Sequence, residues 1–177
     1  MNSNKKSLLF FLSLIPAMQI MLMIGLLMKG IIEGSEFMIL CFFMSLYLLP
    51  PLLWRVFSPM IPPKMGASTL SSETEEVNGW FVSYQIQRIY NSLPFLEGVL
   101  KLIPGLYSAW LRLWGAKIGN NVNWSSESKV LDRPFVHIGD ECRIGAEATL
   151  SAHTIERKND VYLLYLKEIS IEANTAL

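Results

Sequence analysis

Between Ser7 and Met28 the chain carries no charged side chain. Backbone amides in hydrocarbon must be satisfied within their own segment, so a run of this kind is read as a helix. At about 1.5 Å rise per residue it is long enough to cross a hydrocarbon core of roughly 30 Å. Lys5 and Lys6 precede it, as they would in a signal peptide. The run exceeds a typical signal h-region and lacks a small-x-small cleavage site, which favours an uncleaved anchor. A second run, Phe37 to Val56, is free of charge until Arg55 and ends in a breaker segment from Pro59 to Pro63. Only Lys29 to Glu36 separates the two runs, so residues 1–63 are predicted to form a transmembrane hairpin. Lys5, Lys6, Arg55 and Lys64 flank its ends against Lys29 in the turn, which places both termini on the cytoplasmic side. The competing reading, two buried helices of a soluble core, needs more chain than 177 residues supply to wrap them.

The formal net charge is zero and no basic block occurs, which sets nucleic-acid binding aside. Cys41 and Cys142 have neither metal-ligand spacing nor a paired framework and are read as reduced and structural.

Residues 64–78, rich in Ser, Thr and Glu, are expected to be an exposed linker. In 79–116, apolar residues recur at helical spacing and Pro94, Pro104 and Gly105 cut the pattern into short pieces. The density of Trp and Tyr suits amphipathic helices at the membrane–water boundary, with Arg88, Lys101, Arg112 and Lys117 facing anionic headgroups. The alternative is that this stripe packs against the segment that follows or caps it, and the sequence does not separate the two.

From Lys117 the helical period gives way to a period of six: Ile118, Trp124 and Val130, then Ile138, Ile144 and Leu150, then Ile171 and Leu177. Small or β-branched residues follow four positions later at Val122, Ser128, Cys142, Ala148, Thr154 and Thr175. A hexad supplies one short strand and one corner, so apolar residues stack from coil to coil. Gly119, Gly139 and Gly145 follow the apolar position, where a corner gains from lacking a Cβ. Residues 131–135 must leave the coil. A second excursion runs from Ile155 to Ile169, with a turn at 156–160 and strand potential from Val161 to Leu166. The fold expected is α+β: a transmembrane hairpin and interfacial helices, followed over 117–177 by an incomplete left-handed parallel β-helix. Leu177 occupies the inward position of a new hexad, so a coil is expected to stand open there.

Residues 118–122, 136–146 and 171–176 resemble the hexapeptide-repeat acyltransferases. That resemblance implies transfer of an acetyl or longer acyl group from acyl-CoA or acyl carrier protein, without a metal, by a homotrimer. The anchor adds a membrane-associated acceptor, a lipid or lipid-linked hydroxyl or amine. Acyl transfer needs a base for the acceptor's proton. Of the two histidines, the resemblance favours His153, at a coil edge, as catalytic; the other reading of His153 is a solvent-facing or trimer-contact residue. His137 precedes inward Ile138 and so points outward. Asp132 and Glu156 are each placed to orient an imidazole or to cap a turn. The alternatives to an enzyme are a non-catalytic membrane scaffold and a truncated, inactive homologue.

Overall fold

The computed structural model describes residues 3–70 and 78–177; residues 71–77 of the predicted linker lie outside the described residues. Four helices come first: α1 (Ser3–Ser13), α2 (Ile15–Glu33), α3 (Glu36–Tyr47) and α4 (Leu49–Phe57). Pro16 starts α2 afresh within its first turn, because proline has no N–H for an ongoing helix. α2 ends on Gly34 at φ 61°, whose N–H returns to the Gly30 carbonyl, and Ser35 caps α3 by accepting from the Met38 N–H.

Among the described residues, α2, near the N-terminus, is the one helix long and apolar enough by itself to cross a membrane. The two-span hairpin is therefore corrected: α3 and α4 are separate short helices bent by 45° at their junction. Pro50 and Pro51 in the first turn of α4 explain the break, since they withdraw two backbone donors and crowd the preceding turn. The pair is also tied to the rest of the protein. The Tyr47 carbonyl accepts the Trp110 indole N–H at 2.7 Å, the Leu46 carbonyl accepts the Tyr90 hydroxyl, and Trp54 packs edge-on against Phe135. Arg55, at the end of α4, donates to the Leu113 and Arg112 carbonyls at 2.9 and 2.8 Å.

Next come α5 (Gly79–Ser92), α6 (Phe95–Lys101) and α7 (Leu106–Trp114). Asn78 caps α5 through the Trp80 N–H. The interfacial reading fails for α5, which is a core helix with Trp80, Val82, Ile86, Ile89 and Tyr90 all buried. In α6 and the turn after it, Phe95, Val99, Leu102 and Ile103 stay exposed. α7 stops at Gly115, φ 107°, with fully buried Trp114 beneath it.

The strands are short and fall into four small sheets. Three are parallel: β2 (Lys117–Ile118), β5 (Val136–Ile138) and β10 (Ile169–Ile171) in one, β3 (Asn123–Trp124) and β6 (Arg143–Ile144) in the second, and β4 (Lys129–Val130) and β7 (Thr149–Leu150) in the third. Their registers pair Ile118 with Ile138, Ile138 with Ile171, Trp124 with Ile144 and Val130 with Leu150, and of the period-six residues Ile118, Val130, Ile138, Ile144 and Leu150 are buried while Leu177 is exposed. The left-handed β-helix expected from that column is corrected. The structure is mixed helix and strand with separate small sheets, because two of the three parallel ladders hold only two strands each and the chain leaves them for an antiparallel hairpin. In that hairpin β8 (His153–Lys158) pairs with β9 (Val161–Leu166) through Asn159 and Asp160, both at positive φ, as a tight two-residue turn requires. β1 (Gly66–Thr69), within the predicted linker, adds to the other edge of β9.

The corner glycines work otherwise than predicted. The left-handed corner positions are Asn121, Glu141, Glu147 and Asn174. Gly119 and Gly139 are needed because the neighbouring backbone passes so close that a Cβ would lie 2.5 Å from the Gly139 carbonyl carbon or the Ala173 nitrogen.

A polar knot holds helices and ladders together. Arg133, 1% exposed, sits in a short 3-10 turn (Arg133–Phe135) and pairs with buried Glu97 of α6. It also donates to Gln87 at 3.1 Å and Asn91 at 2.9 Å on α5, and its guanidinium faces the Tyr90 ring. Tyr107 of α7 donates to the other Glu97 oxygen at 2.8 Å. Burial and the Glu97 charge hold that hydroxyl's pKa well above its ordinary value, so it remains a donor. Glu97→Leu strips a fully buried guanidinium of its counter-ion and should cost about 3–5 kcal/mol, read as a lowered denaturant midpoint of the solubilised protein. A change below about 1 kcal/mol would show that the knot does not hold the fold.

Candidate active site

Asp132 is the last residue before the 3-10 turn, at the point where the chain leaves β4, and its carboxylate is fully buried. One oxygen, Oδ1, accepts the Trp80 indole N–H at 3.0 Å. The other, Oδ2, accepts the Ala152 backbone N–H at 2.9 Å and lies 2.6 Å from His153 Nδ1. A carboxylate buried this deeply is tolerated because each oxygen has partners.

His153 opens β8 and is held edge and face. Its ring centroid is 4.7 Å from that of Trp80 and 6.3 Å from that of Tyr84, both on the first turns of α5. With Nδ1–H given to Asp132, Nε2 is the nitrogen left to accept a proton. The His153 side chain retains 17% exposure, enough to meet a substrate while the carboxylate behind it stays dry. Chemically this is an imidazole oriented by a carboxylate, an arrangement that can act as a general base.

The predicted residues separate in space. The fold brings His153 and Asp132 together. Glu156 lies three positions along β8, on the strand's opposite face, exposed and opposite Leu163, and takes no part in the dyad. His137 points away from the core as predicted, with Nδ1 3.7 Å from Glu168. Cys142 is free and fully buried, with its thiol against the Glu172 carbonyl at 3.0 Å. Among the described residues no group of three or more His, Cys, Asp or Glu side chains could hold a metal ion.

Sequence reasoning missed Trp80 and Tyr84, which it read as membrane-boundary aromatics. The early sign was the Asn78 cap with an aromatic two residues later, which places Trp80 on a helix's first turn with its indole N–H available to another element.

No family model matches the chain, and no curated protein and no solved structure matches it. The functional reading therefore stands on this geometry.

A 2.6 Å contact predicts an imidazole N–H proton resonance well downfield of ordinary imidazole. Asp132→Asn should abolish that resonance, and Trp80→Phe, which removes one donor to the same carboxylate, should move it. A signal unchanged by Asp132→Asn would break the dyad assignment.

Proposed function

We propose that the protein is a membrane-associated acyltransferase in which His153 is the general base and Asp132 its orienting partner. The observation that carries this reading is the dyad itself, an exposed-edge imidazole fixed by a buried, fully bonded carboxylate. In the proposed step, Nε2 takes the proton of an acceptor hydroxyl or amine as that atom attacks a thioester carbonyl. The carbon–sulfur bond then breaks, and the imidazolium returns its proton to the departing thiolate. The donor is acyl-CoA or an acyl-loaded carrier protein, in keeping with the hexapeptide-like residues around Ile118, Ile138 and Ile171. The acceptor is membrane-associated, a reading supported by an apolar α2 on the same chain.

Thiol release from acetyl-CoA and longer acyl-CoAs by solubilised protein with a membrane-lipid extract tests the proposal. Release should require the extract, and His153→Ala should lower it by about 10²–10⁴-fold. Asp132→Asn should lower it too while leaving the protein folded. A folded protein that releases thiol from no donor would instead be a non-catalytic membrane scaffold.

A further inference from the structure

Helix α7 has a cavity on each of two flanks. On one, Leu106, Ala109, Trp110 and Leu113 form a single i, i+3, i+4, i+7 stripe and wall an apolar groove of about 380 Å³. Across the groove stand Phe43 and Met44 of α3. The polar atoms nearest it are already used, with the Tyr47 hydroxyl bonded to the Leu96 carbonyl at 3.0 Å and the Trp110 N–H to the Tyr47 carbonyl. A peptide laid here would leave its own backbone groups unsatisfied, whereas a hydrocarbon chain has none to satisfy.

On the other flank, Ser108 and Arg112 face a polar cleft of about 590 Å³ shared with Lys101 and Asn123. Lys101 Nζ donates to the Ser128 carbonyl at 2.5 Å and lies over the Tyr107 ring, and Arg112 donates to the Ile118 and Gly119 carbonyls. Among the described residues neither cation has a carboxylate within ion-pair distance. Burial lowers the Lys101 pKa, with Glu97 opposing and Arg133 reinforcing that direction, and an added anion would raise it again. The turn before α7 lies next to both, with Ile103, Pro104 and Gly105 lining the cleft and Leu106, the next residue, lining the groove, and Ile103 is 57% exposed.

We infer that α7 seats one anionic phospholipid, its phosphate in the Lys101–Arg112 cleft and one acyl chain in the groove against α3. The occupant follows from two unpaired cations and an unsatisfiable apolar groove on adjacent flanks of one helix, in a chain whose α2 presents Met18, Met21, Met28, Ile31 and Ile32 outward for a bilayer. This site uses other side chains than the His153 dyad and stands whether or not acyl transfer is the activity.

Native mass spectrometry of the full chain in detergent, with phosphatidylglycerol and phosphatidylcholine added in turn, tests it. Wild type should retain phosphatidylglycerol at least tenfold better than phosphatidylcholine, and excess inorganic phosphate should not displace it. Lys101→Gln with Arg112→Gln should remove that preference, and Ala109→Trp, which fills the groove, should weaken both lipids. Should the double variant melt early because Arg112 no longer binds its carbonyls, Lys101→Gln alone gives the same reading in a chain that keeps them. Equal retention of the two lipids by wild type, an undiminished preference in a folded Lys101→Gln variant, or displacement by inorganic phosphate overturns the inference.

Discussion

Arg133 is the residue on which most of the structure converges. Its guanidinium reaches α5 through Gln87 and Asn91 and α6 through Glu97, and Glu97 passes the connection to α7 through Tyr107. Gln87 also accepts from the Arg133 backbone N–H at 2.8 Å, so the turn that carries the guanidinium is fixed at both ends. A buried ion pair is a poor source of net stability, because removing two charges from water costs nearly what their attraction returns. What the pair supplies is uniqueness: any other packing of α5, α6 and α7 against the ladders would strand a charge in the core.

The same device places the candidate chemistry. Asp132 precedes Arg133, so the knot that locks the 3-10 turn also sets the carboxylate's position, and Trp80 at the start of α5 finishes the job from the opposite side. His153 opens β8, three residues after β7 ends, and meets a carboxylate already held by two N–H donors. An imidazole held this way needs little reorganisation when a proton moves.

Among the described residues, no hydrogen bond ties α2, the candidate membrane span, to the strand-bearing half, whereas α3 and α4 are tied to it. Main-chain carbonyls of Leu46 and Tyr47, released where the helix breaks before Pro50, become acceptors for Tyr90 and Trp110. Arg55 does the converse, lending its donors to the carbonyls that end α7. The apolar helices and the strand-bearing half are thereby joined by hydrogen bonds as well as by apolar contact.

Periodicity and charge placement were enough to find the apolar run that holds α2, the six-residue apolar column and the strand potential of β9, whereas the turn expected over 156–160 is confined to Asn159-Asp160, and His153 was singled out by the family resemblance. These are local properties, since a helix, a two-residue turn and an inward-facing position are each dictated by residues a few places apart. The bend at Pro50-Pro51 was also written locally, but the charge-free run around it concealed it. The burial of α5, the four small sheets in place of an extended coil, and the loss of Glu156 from the site were settled only by tertiary structure. Each depends on which distant backbone passes nearby: β9 captures β8 and β1, turning Glu156 outward, and Arg133 draws α5 into the core although its aromatics suit a membrane boundary equally well. An amphipathic sequence specifies that a face will be covered; what covers it is decided by the partners that reach it.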